Sequence, residues 1–489
     1  MFKIIIFTFE QALASVGIAL LAGIPGAYFI ARKTFPAKKI LKSLSVIPLC
    51  VPALMAALGY ISALGLAGWY NRILMSLFSL KEPPLRFLYS FSGIAITQGF
   101  YNFPLIMKST ADVLSQLDHS PEESAELLGA GQIKIFFTIT LPRIIPAIIA
   151  GAVPVFIFCY FSFMIILMFG IPGSSTIETE IYFAARMHKP FSKILLLCTT
   201  ETILAIIVIF TGTLYEKKSE QITENSFSIK KQTPVSFSKK EFPFAALYFI
   251  IIFIFFVIPF FSIPLNSFFG TNDTYPTLKY WKFILSSKSF IPSVTTSIIQ
   301  ASITGLLCTA TAIIFSTATR LCPHSGIKQI IKTIPLLPMA ISSVAASVII
   351  LKITALSEYN TNLLTLCGVQ TFLYWPFAFR QIYASASRIS DEVIFSAKLL
   401  SNSKTQFLTE VFFPATKRSC ISAFLFSFAI SIGDASLPVV LAIPEYTSLA
   451  LFTYRLFGYR FPAACCTSMI LGIVCITLCI LAEKIGDQK

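Results

Sequence analysis

Asp434 is the residue whose setting first suggests chemistry, because it lies in FAISIGDASLPVVL, an otherwise apolar run. An ionisable group near a bilayer centre costs at least about 2.5–3.5 kcal/mol on insertion scales. A carboxylate kept there either lines a passage, where it favours a cation, or is satisfied by helix ends and hydroxyls and holds a bundle together. Gln98, Asn102, Gln370, Tyr374 and Glu201 are further polar groups inside apolar runs. Reaction chemistry has little support. His119, His188 and His324 are far apart and lack metal-ligand spacing. The eleven cysteines lie almost wholly in apolar runs without a CxxC and read as small core residues. HExxH, GxSxG and the phosphate-binding G-x-x-x-x-G-K-[ST] are all missing from the sequence. The expectation is a protein with no catalytic residues, no metal and no cofactor, whose polar residues Asp434, Ser162, Gln98, Asn102, Gln370 and Tyr374 line a passage.

A second constellation lies between apolar segments, in PEESAELLGAGQIKIFFTITLPRI. Asp118, Ser120 or nearby polar groups can cap a helix starting around Pro121. Small residues at 124, 125 and 130 allow close approach of another surface, Gly129 permits a sharp turn and Pro142 restarts the chain. The product is a short surface helix suited to a groove on a soluble partner. Glu123, Ser124, Ala125, Gly129, Ile139, Leu141 and Pro142 resemble the EAA loop of ABC importer permeases, E-A-A, three residues, G, nine residues, I-x-L-P, with Ser124 replacing one alanine. The resemblance implies that this helix couples the chain to a separate ATPase. A degenerate second copy, FSAKLLSNSKTQFLTEVFFP, keeps Ser396, Ala397 and Pro414 but has Phe395 for the glutamate and Ser401 for the glycine. Two copies of the ATPase subunit and a periplasmic or lipoprotein solute-binding protein are the implied partners.

The elements that must carry these motifs are membrane helices. A 489-residue chain that is 55% hydrophobic and 12% charged, with a mean hydropathy of +0.78, cannot hide its apolar surface in a water-soluble core. Its apolar runs are long enough to cross a bilayer as helices, and they lack the alternation of a barrel. Eleven spans are predicted, at about 6–30, 43–66, 91–111, 144–168, 191–214, 244–267, 293–319, 333–354, 363–385, 419–442 and 462–482. The fold class is an all-α polytopic membrane protein. The first apolar stretch is too long for a signal-peptide core and should stay in the membrane.

The net charge of +15 sits mostly between the spans and is a topology signal rather than a nucleic-acid signature. Residues 32–42 carry Arg32, Lys33, Lys38, Lys39 and Lys42 without an acid, and the polar stretch 215–243 carries six lysines. Placing both in the cytoplasm puts 112–143, 320–332, 387–418 and the C-terminal tail there too. The expected organisation is an N-terminal repeat at 1–214 with five spans, a cytoplasmic linker at 215–243 and a C-terminal repeat at 244–489 with six. The first repeat has no counterpart of the span at 244–267, so either a first helix was lost or translation starts upstream.

Internal repetition supports this division. A shift of 272 residues places Gln98 on Gln370, Asn102 on Tyr374, Pro104 on Pro376, Ser124 on Ser396, Pro142 on Pro414, Ser162 on Asp434 and Tyr182 on Tyr454. Equivalent positions are separated by an even number of spans, so the repeats share one orientation and are expected to be related by an axis along the membrane normal, with Asp434 facing Ser162 across it.

SIGD at 431–434 with Tyr454 and Arg455 downstream, CxxSF at 159–163 and GIPGSSTIETEIY at 170–182 are most similar to the thiamine branch of the ferric iron, spermidine and thiamine permeases. That resemblance implies import of thiamine or a phosphate ester of it across the bacterial cytoplasmic (inner) membrane. Ferric iron is the alternative cargo within the same superfamily, and an ATP-independent secondary transporter is the alternative from another class.

Overall fold

The structure is a computed structural model and describes residues 1–36, 38, 41–42, 48, 51–170, 175–224, 235–238, 241–270, 275–322, 325–356, 361–401, 403–444 and 446–487. Its framework, in chain order, is α1 (Phe2–Arg32), α2 (Ala53–Leu64), α3 (Phe91–Leu114), α4 (Ser120–Leu127), α5 (Gln132–Tyr160), α6 (Ile177–Arg186), α7 (Phe191–Glu224) and α8 (Phe242–Phe269). It continues with α9 (Phe290–Leu321), α10 (Ser343–Leu356), α11 (Leu363–Ala386), α12 (Asp391–Leu400), α13 (Phe413–Gly433), α14 (Leu449–Tyr459) and α15 (Phe461–Asp487). The strands among the described residues are one two-residue parallel pair, Lys33–Thr34 with Val235–Ser236.

Seven helical segments among the described residues are long and apolar enough to cross a bilayer: α1, Ala53–Phe78, α5, Phe191–Gly212, α8, α9 and Phe461–Gly486. Gly326–Ala340 and Ser343–Ala355, bent by 87°, make an eighth if taken as one span. The three remaining predicted spans are also helical, as α3, α11, and α13 followed by Ser436–Leu441. These helices carry the buried glutamines and hydroxyls described below, which is why they fall short on apolarity. The predicted span at 43–66 lies partly outside the described residues. Helix α7 runs past 214 to Glu224, into the stretch expected to be linker, because that stretch is rich in the good helix formers Glu, Lys and Gln.

The chain forms two compact units. The first comprises 1–48, 59–179 and 203–262, and the second comprises 49–58, 180–202 and 263–489. The start of α8 therefore belongs to the first unit. Its π-helical turn, Phe253–Val257, is supported there by tyrosines: Tyr60 donates to the Phe255 carbonyl at 2.7 Å and Tyr70 to the Ile254 carbonyl at 2.8 Å. In hydrocarbon every loosened carbonyl needs such a donor.

The first unit is built on α1, α3 and α5. Helices α1 and α3 approach closely at Gly99, where a Cβ atom would stand 2.6 Å from the Ile18 Cβ. A small residue at the contact is the usual device for close packing of membrane helices. The second unit repeats this trio as α9, α11 and α13, with a core that includes Cys308, Ala312, Phe379, Ile382, Phe407 and Phe412. In both units a π-helical turn precedes the proline that opens the following span: Phe136–Thr140 before Pro142, and Phe407–Phe412 before Pro414.

Candidate functional site

Helix α4 is the first predicted coupling segment, and its ends follow from its residues. Asp118 Oδ1 accepts from the Ser120 amide at 3.2 Å and the Ser120 hydroxyl at 2.9 Å, so the aspartate organises the start and Pro121 falls in the first turn. At the other end Gly129 is left-handed, with φ of +84°. The Gly129 amide donates to the Glu126 carbonyl at 2.9 Å and the Ala130 amide to the Ala125 carbonyl at 3.0 Å, a Schellman ending. Glu123, Ser124 and Gly129 are exposed, while Ala125, Ile139 and Leu141 are half-buried and Pro142 is exposed.

Helix α12 is the second copy, capped by the Ser390 side chain. Its C-cap, Ser401, has φ of −84° and ψ of 127°, an extended conformation open to any residue. The missing glycine thus matches a different exit from the helix. Ser396 and Pro414 are exposed, and Ala397 is buried.

Sequence reasoning passed over Glu122, which ties α4 to α1. Its carboxylate accepts from Arg32 Nη1 at 2.9 Å and Nη2 at 3.1 Å, and Thr140 donates to it at 2.7 Å. His119 approaches the same carboxylate at 2.8 Å. The exposed Leu127 and Leu128 at the end of α4 recur as exposed Leu399 and Leu400 at the end of α12.

The predicted passage residues gather into one buried polar cluster in each unit. In the first, Gln98 accepts from the Ser15 hydroxyl at 3.0 Å and donates to Ser162 at 2.7 Å. Asn102 donates to the Gln98 carbonyl at 3.0 Å and to Cys159 Sγ at 3.7 Å. Gln11 Nε2 donates to the Cys159 carbonyl at 2.8 Å. In the second, Gln370 accepts from Thr304 at 3.1 Å and from Ser431 at 2.6 Å, and donates to Asp434 at 3.1 Å. Gln300 donates to the Ser431 carbonyl at 3.3 Å and accepts from the Tyr446 hydroxyl.

Three of these bonds correspond between the units: Gln98–Ser162 with Gln370–Asp434, Ser15–Gln98 with Thr304–Gln370, and Gln11–Cys159 with Gln300–Ser431. Gln98 and Ser162 precede Gln370 and Asp434 by 272 positions, while Thr8, Gln11 and Ser15 precede Ser297, Gln300 and Thr304 by 289. A further pair fits the same offsets: the Ile177 amide donates to Thr8 at 3.1 Å, and the Leu449 amide donates to Ser297 at 2.7 Å.

The clusters sit where a helix is interrupted. Helix α5 ends at Tyr160 and Phe163–Phe169 follows; α13 ends at Gly433 and Ser436–Leu441 follows. A break at membrane depth frees backbone groups that only protein can satisfy. Gln11 and Gln300 serve carbonyls, while Asp434 Oδ1 serves the Ser436 amide at 2.9 Å and the Leu437 amide at 3.4 Å. With Gln370 also donating to it, the carboxylate has three partners. Of the two readings of Asp434, this geometry favours the one in which it fastens helices. Glu201, in the second unit, is buried and accepts from the Ser342 hydroxyl at 2.8 Å.

The family described as binding-protein-dependent transport system inner membrane component matches residues 23–216. The chain is 24% identical over 494 residues to the thiamine transport system permease protein ThiP of Brucella abortus, covering 99% of the chain and 87% of that protein. It is 31% identical over 188 residues to the molybdenum transport system permease protein ModB of Escherichia coli, covering 38% of the chain and 80% of that protein. It is 26% identical over 199 residues to the putative 2-aminoethylphosphonate transport system permease protein PhnU of Salmonella choleraesuis, covering 41% and 70%.

Proposed function

We propose, for a chain that belongs to the binding-protein-dependent transport system inner membrane components, the permeases of ATP-binding cassette importers, that the cargo is thiamine or a phosphate ester of it. As an importer permease the chain is a multi-pass protein of the cytoplasmic membrane and a transport component, not an enzyme, working with an ATPase and a solute-binding protein. The family sets aside the secondary-transporter alternative. One observation carries the choice of cargo: ThiP of Brucella abortus aligns with 99% of the chain and so with both repeats, whereas ModB and PhnU align with less than half of it.

In this reading each repeat offers one coupling segment to one ATPase subunit, giving two ATPase copies per chain. Residues 120–142, with Glu123, Ser124, Ala125 and Gly129, form the first segment, and residues 391–414, with Ser396, Ala397 and Ser401, form the second. Exposure of Leu127, Leu128, Leu399 and Leu400 at the helix ends supports these faces as the seats. The passage is expected beside the interrupted helices, with the two polar clusters fixing its walls.

The deciding experiment is uptake of radiolabelled thiamine by cells lacking their own thiamine transport and expressing the chain with its ATPase and binding protein. ATP-dependent uptake, competed by thiamine phosphates, is the expected result. Accumulation of ferric iron, molybdate or 2-aminoethylphosphonate without thiamine would overturn the cargo assignment.

A further inference from the structure

Beneath α4 the first unit contains a cavity of about 1040 Å³, bounded by α1 on one side and by the turn leading into α5 on the other. Its α1 wall is apolar, with Leu20, Leu21 and Ile24; the opposite wall has Ile133 and Phe137. The inner end is the Arg32–Glu122 pair, and Glu123 and Glu126 stand at the rim.

The second unit closes the corresponding place. Glu122 is replaced by Ile394, Thr140 by Phe412 and, at the 289 offset, Arg32 by Leu321. All three replacements pack into or against one apolar core. The fold therefore does not require the cavity; the residues of the first repeat keep it open.

Two observations bear on its occupant. Along α1 an exposed apolar stripe runs through Ile6, Leu13 and Leu21, and it enters the cavity at Gly17 and Leu21. A Cβ at Gly17 would have no heavy atom within 4 Å. The apolar part of the cavity is thus continuous with a face that meets lipid. The polar end is acidic: Glu122 neutralises Arg32, leaving Glu123 and Glu126 as surplus negative charge at the rim.

We propose that this cavity holds one phosphatidylethanolamine molecule of the cytoplasmic leaflet. An acyl chain lies along Gly17 and Leu21, and the ammonium meets Glu126 at the rim. Such a lipid fills space that the second unit fills with side chains, and it makes the seat of the first coupling helix sensitive to membrane composition. The inference rests on the permease reading for the cytoplasmic placement of α4.

The test uses the assembled permease–ATPase complex in nanodiscs containing equal phosphatidylethanolamine and phosphatidylglycerol, with lipid retained after transfer to detergent read by native mass spectrometry. Wild type is expected to keep one phosphatidylethanolamine per chain, with a preference of about five-fold or more over phosphatidylglycerol. Gly17→Leu obstructs the acyl-chain end of the cavity and should lower retention by about the same factor. Glu126→Gln, an exposed change that leaves folding intact, should still retain lipid but with the preference reduced to about two-fold or less. Undiminished retention in an assembled Gly17→Leu complex, a preference for phosphatidylglycerol, or an unchanged preference in Glu126→Gln would overturn the proposal. Retention is measured without transport, so its failure leaves the permease reading intact, and failure of thiamine uptake leaves the lipid site intact.

Discussion

Gln370 donates to Asp434 at 3.1 Å, and the residues 272 positions earlier, Gln98 and Ser162, make the same bond at 2.7 Å with a hydroxyl in place of the carboxylate. One geometry thus tolerates either acceptor, and what it serves is an interrupted helix.

If Asp434 fastens that interruption, Asp434→Ser, which installs the first unit's own solution, should assemble and retain uptake. Asp434→Leu leaves the Gln370 amide and two backbone amides without an acceptor, at roughly 1–3 kcal/mol each, and should fail to accumulate in the membrane. Asp434→Asn keeps a carbonyl oxygen for the backbone amides and should lower the melting temperature more than the uptake rate. A well-assembled Asp434→Asn complex with thiamine uptake near zero would restore the carboxylate to the passage.

The two helices proposed to couple to the ATPase, α4 and α12, should respond differently to the same kind of change. Gly129→Val forces a β-branched side chain into a left-handed position, at about 1–2 kcal/mol, and disorders the α4 exit. ATP hydrolysis is then expected to lose its link to uptake while the membrane bundle persists. Ser401→Gly meets no such requirement at φ of −84°, and uptake should stay close to wild type. Equal losses in the two variants would show that the exits are not distinguished by backbone conformation.

Glu241, just before α8, accepts from Lys33 at 2.7 Å. Burial pushes its carboxyl up, but the hydrogen bond and charge of Lys33, with the Ser238 amide, outweigh this and hold the pKa below the ordinary carboxylate value. A depressed folded pKa contributes stability that is complete above the unfolded value and is lost as pH falls through the folded one. The protection of the Lys33 and Thr34 amides against hydrogen exchange, corrected for the intrinsic rate at each pH, should therefore stay constant down to the usual carboxylate range and fall at lower pH. Glu241→Gln should abolish that step.

Cysteine labelling tests orientation. In a background without native cysteines, positions 275–289 should react with an impermeant reagent from outside, and positions 235–238 only after the membrane is opened. The reverse pattern would invert the topology.

Much of this was readable from the residues. Hydropathy located the helices because lipid leaves backbone groups no other partners, and the spacing of Pro121, Gly129 and Pro142 announced α4 and its exit. The Arg32–Glu122 pair was not readable, since Glu122 and Glu123 adjoin and only the helix phase decides which turns toward α1. Thr8, Gln11 and Ser15 do not align under the 272 offset, because their counterparts lie at 289. The signal was present: a hydroxyl, then glutamine three positions on, then a hydroxyl four further, occurs in both α1 and α9.

Pro142 does not interrupt the path from the coupling segment into the bilayer, because the π-helical turn before it keeps Gln132–Tyr160 one continuous helix of 29 residues. At about 1.5 Å per residue such a rod is roughly 43 Å long. One end begins just beyond Gly129, and the other carries Cys159, whose carbonyl is held by Gln11. A tilt of about 5° about the inner end would carry the outer end through roughly 4 Å, more than the 2.8 Å length of the hydrogen bond that holds it. A small rocking of an ATPase against α4 would thus have the leverage to unfasten a joint on the far side of the membrane without bending any helix.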